Sequence, residues 1–94
     1  MLVADLKIIP VGTGSSMEEP LERVVAALDR KGVRYQVGPL GTTLEAETLD
    51  DLLEAVRVAH SALTDEVPRL ITQLTIDHRL DKEETAESLR EVAR

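Results

Sequence analysis

The sequence contains no cysteine, tryptophan or phenylalanine, and Tyr35 is its only aromatic residue. The absence of cysteine excludes disulfides, thiolate zinc sites and cysteine-ligated iron–sulfur clusters. It is consistent with a reducing cytoplasm, where we expect the protein to act. Hydrophobic residues nevertheless make up 43% of the 94 residues, so one aliphatic core can form. We therefore expect a single domain over residues 1–94.

Two further absences concern partners. No block of lysine or arginine occurs, and 18 acidic against 11 basic residues give a net charge of −7. Nucleic acids and anionic membranes require a basic face, and RNA-binding sheets require stacking aromatics, so we expect neither partner. No apolar run approaches the roughly 18 residues of a membrane span, and the start of the chain lacks a signal-peptide pattern. A cationic ligand is easier to accommodate.

Alternation and helical spacing of apolar residues predict an order of elements. The pattern first predicts a strand over 2–11 and a helix that is capped by Ser16 with Glu19 and ended by Gly32. It then predicts strands over 33–37 and 42–47, a helix capped by Thr48 and a strand over 69–79. A last short helix is capped by Asp81. This is an α+β, ferredoxin-like β-α-β-β-α-β sandwich with a four-stranded antiparallel sheet and an extra C-terminal helix.

The predicted helices cover one face of the sheet and leave the other open. Strict alternation assigns to this open face Asp5, Lys7, Ile9, Gln36, Thr43, Glu45, Ile71, Gln73, Thr75, Asp77 and Arg79. The face is mostly polar, yet Ile9, Val11 and Ile71 would place apolar surface in water. Such a face typically packs against another subunit or lines a ligand site, so we predict a homo-oligomer, a dimer or a tetramer.

Gly12-Thr13-Gly14-Ser15-Ser16 joins the first strand to the first helix. Backbone N–H groups at a helix N-terminus favour an anion such as a phosphate. The segment is neither a dinucleotide fingerprint, because Met17 occupies the third glycine position, nor a nucleotide P-loop. Two interpretations stay open: a ligand contact, or a plain turn with a serine cap.

The other candidate residues also have two interpretations each. Glu45 is either a ligand-binding carboxylate or a cross-strand surface charge. Asp77 and Arg79 form either an interface charge network or part of a ligand site. His60 and Tyr35 are more typical of packing residues. His78 is the only other histidine, so no metal site is predicted. No nucleophile–base pair is evident, so we predict no catalytic residue, no cofactor and no enzyme activity.

Three stretches carry a resemblance to a known family: 9–16, 35–45 and 72–82, the last with Ile76-Asp77-His78-Arg79 at its centre. In order and spacing they resemble the thiamine-binding protein family, although His78 stands where a small or acidic residue is expected. The resemblance implies a ferredoxin-like fold, homodimers or tetramers built through the sheets, and non-catalytic binding of thiamine or its hydroxymethylpyrimidine part.

The residue patterns and the resemblance together select the candidate ligand-binding residues. They are Thr13, Gly14, Ser15, Ser16, Thr43, Glu45, Asp77 and Arg79. The alternative functions are a structural or regulatory oligomeric domain that senses another metabolite, and an enzyme whose chemistry the sequence does not show.

Overall fold

The computed structural model describes residues 1–12 and 18–81. In chain order its elements are β1 (Leu2–Val11), α1 (Glu18–Lys31), β2 (Arg34–Val37), β3 (Thr42–Ala46), α2 (Leu49–Ser61) and β4 (Arg69–Asp77). The strands form one sheet in the order β2-β3-β1-β4, and all neighbouring strands are antiparallel. This confirms the predicted ferredoxin-like order. The Ser16 cap and the predicted C-terminal helix lie outside the described residues.

The core lies between the sheet and the two helices. It is aliphatic, as the composition requires, and its buried members are Leu2, Ala4, Leu6, Val24, Leu28, Leu44, Leu52, Ala55, Ala59 and Leu63. The even-numbered residues of β1 belong to it because successive side chains of a strand point to opposite faces. None of the helices in the described ranges is long and apolar enough to cross a membrane.

The C-terminus of α1 and the N-terminus of α2 have the capping residues that the sequence predicts. Gly32 follows α1 with φ of +79°, and the N–H groups of Gly32 and Val33 donate to the carbonyl of Leu28 at 3.0 and 3.2 Å. The left-handed glycine therefore satisfies a carbonyl that the helix leaves open. At the start of α2, Thr48 Oγ1 accepts a hydrogen bond from the Asp51 N–H at 3.1 Å, which is the predicted cap.

The last strand is shorter than predicted. β4 ends at Asp77, which pairs with Val3 close to the beginning of β1. The ladder stops there, two residues before Arg79. The prediction that Arg79 belongs to this strand is wrong: Arg79 Nε instead donates to Asp81 Oδ1 at 3.0 Å.

Candidate functional site

Glu45 lies on the open face of the sheet, in the middle of a row of cross-strand neighbours. Arg34 of β2 and Val3 of β1 are its direct partners, and Asp77 of β4 follows beyond Val3. Arg34 Nη1 lies 3.4 Å from Glu45 Oε2, with side-chain exposures of 75% for Arg34 and 11% for Glu45. The sheet thus holds a nearly buried carboxylate next to an exposed counter-charge at its rim.

The next row along the same face contains further polar residues. Thr43 pairs with Gln36 on one side and with Asp5 on the other, and Asp5 pairs with Thr75. The structure therefore brings three predicted site residues, Thr43, Glu45 and Asp77, onto one face. Thr13, Gly14, Ser15 and Ser16 lie outside the described residues, and Arg79 is not part of the strand.

A pocket of about 280 Å³ opens beside Glu45, where the strand ends meet the helix ends. It is lined by Met1, Lys31, Gly32, Val33, Arg34, Glu45, Ala46, Glu47 and Asp51. Of the predicted site residues that the structure describes, Glu45 alone lines it. The carboxylates of the pocket are those of Glu45 in β3, Glu47 in the following loop and Asp51 in the first turn of α2. They outnumber the two basic side chains, Lys31 and Arg34. This combination suits a small ligand that carries positive charge and hydrogen-bond donors.

Sequence reasoning missed four charged residues of this pocket: Lys31, Arg34, Glu47 and Asp51. Each stands at or next to the end of an element, where a charged side chain usually points into solvent. A signal was available at Glu47, a second carboxylate that directly follows the strand carrying Glu45. Only the packing of α1 and α2 against the sheet brings them around one pocket.

A second pocket, of about 390 Å³, lies between the C-terminal halves of α1 and α2. Its basic lining residues are Arg30, Lys31 and Arg57. Arg57 donates two hydrogen bonds to Glu54 through Nε, at 3.0 and 3.2 Å, and these bonds together with the nearby cationic charges lower the pKa of Glu54 despite the opposing effect of burial. The negative charge of Glu54 thus offsets the positive charge at this pocket. The pocket is therefore a weaker candidate for an anion-binding site.

The side chains of Asp5 and Lys7 on the open face lie close to the backbone of Gly41. Asp5 Oδ2 lies 3.7 Å from Lys7 Nζ, and a methyl group at Gly41 would overlap Asp5 Oδ1 and approach Lys7 Cγ to 3.2 Å. Because Gly41 has no Cβ, the Asp5 carboxylate can lie directly against the backbone at this position. This contact explains a glycine at that position without a ligand.

His60 and Tyr35 are packing residues, as predicted. His60 Nδ1 lies 2.6 Å from Thr72 Oγ1, which ties α2 to β4. The Tyr35 ring packs against the core, and its hydroxyl donates to Asp29 Oδ1 at 2.8 Å. That hydrogen bond, reinforced by burial and by the Asp29 charge, raises the pKa of Tyr35 above its ordinary value. Neither side chain is available for chemistry at the pocket beside Glu45.

Metal binding finds no support in residues 1–12 and 18–81, where no three histidine, aspartate or glutamate side chains come together as ligands. The charged side chains that line the pocket beside Glu45 can form ion pairs and hydrogen bonds. They provide charge and donor–acceptor recognition for a small molecule.

Comparisons with known proteins agree with this description. The family model "Thiamine-binding protein" matches residues 4–93. A UPF0045 protein from Methanothermobacter thermautotrophicus is 45% identical over 83 residues, which are 86% of this chain and 84% of that protein. The crystal structure of MJ1052 from Methanocaldococcus jannaschii superposes with a TM-score of 0.87 at 33% identity, covering 98% of this chain and 94% of that one.

A third similarity concerns the fold alone. A Thermotoga maritima protein provisionally named for thiamine biosynthesis or salvage superposes with a TM-score of 0.79 at 23% identity, covering 97% of each chain.

Proposed function

This chain belongs to the thiamine-binding protein family, and we propose that it is a non-catalytic protein that binds thiamine or its hydroxymethylpyrimidine part and acts as a homo-oligomer. The observation that carries the proposal is the position of Glu45. Its carboxylate is 11% exposed, lines the pocket at the strand ends and belongs to a segment that resembles the family's motif.

The chemistry of thiamine fits such a carboxylate. The thiazolium ring carries a fixed positive charge, and the aminopyrimidine presents hydrogen-bond donors along one edge. A carboxylate held in a partly desolvated position forms stronger bonds to such groups than one in bulk water. Glu47 and Asp51 add negative potential at the same pocket.

The absence of catalysis is part of the proposal. His60 is the histidine on α2, and its ring is engaged with Thr72 on the helix-facing side of the sheet, away from the Glu45 pocket. The sequence shows no nucleophile next to a general base. The charged groups of the pocket are accordingly proposed to bind a ligand without turnover.

The homo-oligomer is supported by the apolar end of the open face. Ile9 and Ile71 are direct cross-strand partners, and they are 40% and 37% exposed, with Val11 beside them at 38%. Covering this patch with the same patch of another copy removes apolar surface from water. The association also gives a small domain the extra buried area that it lacks as a monomer.

Calorimetric titration tests the ligand. Thiamine, its phosphate esters and hydroxymethylpyrimidine are each titrated into the protein, with a panel of amino acids as the control. We expect saturable binding of at least one thiamine-type compound and none of the amino acids. An absence of binding by all of the thiamine-type compounds at millimolar concentration would refute the ligand assignment.

A further inference from the structure

The charged side chains that line the pocket beside Glu45 do not balance. Glu45, Glu47 and Asp51 are acidic, whereas Lys31 and Arg34 are basic, so one negative charge is left over. Glu45 is nearly buried, but Glu47 and Asp51 are exposed, and an entering ligand meets them first. The net charge of −7 of the whole chain has the same sign. The pocket therefore attracts cations and repels anions during their approach.

Both basic side chains of the pocket already face a carboxylate. Arg34 Nη1 lies 3.4 Å from Glu45 Oε2, and Lys31 Nζ lies 3.9 Å from Glu54 Oε1. A phosphate group that binds either of them would come to lie beside that carboxylate, and like charges at such distances repel each other. Arg34 is also 75% exposed, so water screens its attraction for a phosphate even when a cationic ligand displaces it from Glu45.

The helix ends at this pocket do not favour an anion either. The last residue of α1 and the two residues that follow it line the pocket, and the C-terminus of a helix carries the negative end of its dipole. The N-terminus of α2 has the opposite polarity. Its first turn, however, holds Asp50 and Asp51, and the Asp51 N–H already donates to Thr48 Oγ1 at 3.1 Å.

We propose that this pocket selects its ligand by charge: it binds thiamine or hydroxymethylpyrimidine and rejects their phosphate esters, and Glu47 and Asp51 determine this selectivity. The selectivity rests on the proposed function, because it concerns the ligand of the same pocket. The protein thus holds the free alcohol, the form of the ligand that has not been phosphorylated.

The size of the pocket makes the repulsion effective. A phosphate monoester carries a charge of about −1.5 to −2 at pH 7. The Debye length is about 10 Å at 0.1 M ionic strength, whereas a pocket of about 280 Å³ is narrower than this in at least one direction. An ester group inside the pocket is therefore not screened from Glu47 and Asp51.

Calorimetry on matched pairs of ligands tests the selectivity. Thiamine is compared with its monophosphate and its diphosphate, and hydroxymethylpyrimidine is compared with its monophosphate. We expect each added phosphate to lower the affinity for the wild-type protein about 10-fold or more. Raising the ionic strength from about 0.01 M to about 0.1 M shortens the Debye length from about 30 Å to about 10 Å, so the gap between alcohol and ester should narrow.

Charge-removing variants identify the residues responsible. Glu47→Gln and Asp51→Asn keep the size of each side chain and remove its charge. Each should reduce the ratio of the affinities for thiamine and thiamine diphosphate about 3-fold or more, and the double variant should reduce it further. Asp65→Asn is the matched control, because Asp65 is exposed in the turn that follows the other end of α2. It should leave the ratio unchanged, and circular dichroism checks that each variant is folded.

The results separate this selectivity from the proposed function. Tighter binding of an ester than of its alcohol would overturn the selectivity and leave the thiamine assignment in place. A preference for the alcohol that responds neither to salt nor to the two substitutions would also overturn it, since the esters would then be rejected by size. If no alcohol and no ester binds, the proposed function itself fails and the selectivity fails with it.

Discussion

Arg34 Nη1 lies 3.4 Å from Glu45 Oε2 across the β2–β3 ladder, yet the Arg34 side chain is mostly exposed and the Glu45 side chain is mostly buried. Arg34 projects largely into solvent, so its ion pair is screened and contributes little to stability. Glu45 is nearly covered, with 11% of its side chain exposed. If the proposed function is right, a cationic ligand takes the place of Arg34 at the Glu45 carboxylate, and the loss of the screened ion pair costs little.

Glu45→Gln should weaken thiamine binding. The amide keeps the shape of the side chain and removes its charge, and a hydrogen bond to a charged group contributes about 1.5–3 kcal/mol. We expect an affinity about 10-fold lower or more, measured by calorimetry, with little change in the melting temperature of the free protein.

The control for this variant must lie outside the pocket. Glu47 lines it and is unsuitable, whereas Glu22 is exposed on α1. Glu22→Gln should bind as the wild type does. Equal affinities for Glu45→Gln and the wild type would make Glu45 a structural charge only.

Thr72→Val should destabilise the fold. It preserves the β-branched shape but removes the hydroxyl that lies 2.6 Å from His60 Nδ1, so a half-buried imidazole loses its partner. The expected cost is about 1 kcal/mol, seen as a lower urea midpoint with an unchanged m-value. Thr75→Val, on the exposed side of the same strand, should change stability by less than about 0.5 kcal/mol. Equal losses for the two variants would show that the hydrogen bond contributes nothing.

Alkaline pH should destabilise the protein through Tyr35. Because hydrogen bonding to Asp29 raises the pKa of the folded-state phenol above its ordinary value of 10.0, the folded state retains a proton that the unfolded state releases. The stabilising contribution is complete below pH 10 and is lost as the pH rises through the folded-state pKa.

The single aromatic residue makes this measurement direct, since phenolate absorbance reports Tyr35 alone. Asp29→Asn should bring the titration midpoint back toward the ordinary value. Tyr35→Phe should abolish this part of the pH dependence of the urea midpoint. A wild-type titration at the ordinary pKa would contradict the prediction.

Gly12→Ala should be more destabilising than Gly32→Ala. Both glycines have positive φ, +89° and +79°, so each alanine incurs a backbone penalty of about 1–2 kcal/mol. At Gly12 the new methyl group would also lie 2.9 Å from Pro68 Cγ, whereas at Gly32 it would meet nothing within 4 Å. Overpacking adds about 1 kcal/mol or more at Gly12. Chemical denaturation measures both, and a larger loss at Gly32 would refute the argument.

The sequence by itself determined the elements and the family. The alternation of Leu2, Ala4 and Leu6 selects the buried face of β1, Thr48 begins α2, and Gly32 ends α1, because each of these signals acts within a few residues of the chain. The same patterns placed Thr43 and Glu45 on the open face. The family's short motifs are equally local, which is why they could be read without a structure.

The tertiary structure alone decided where β4 ends and which charges surround Glu45. Arg79 continues the alternation of the strand, but the ladder with β1 ends at Asp77, and a local pattern cannot show where pairing with a distant strand ends. Lys31, Arg34 and Asp51 come from three different elements and meet Glu45 only after the helices pack on the sheet. Periodicity is a local property of the chain, whereas register and pockets arise from contacts between residues far apart in it.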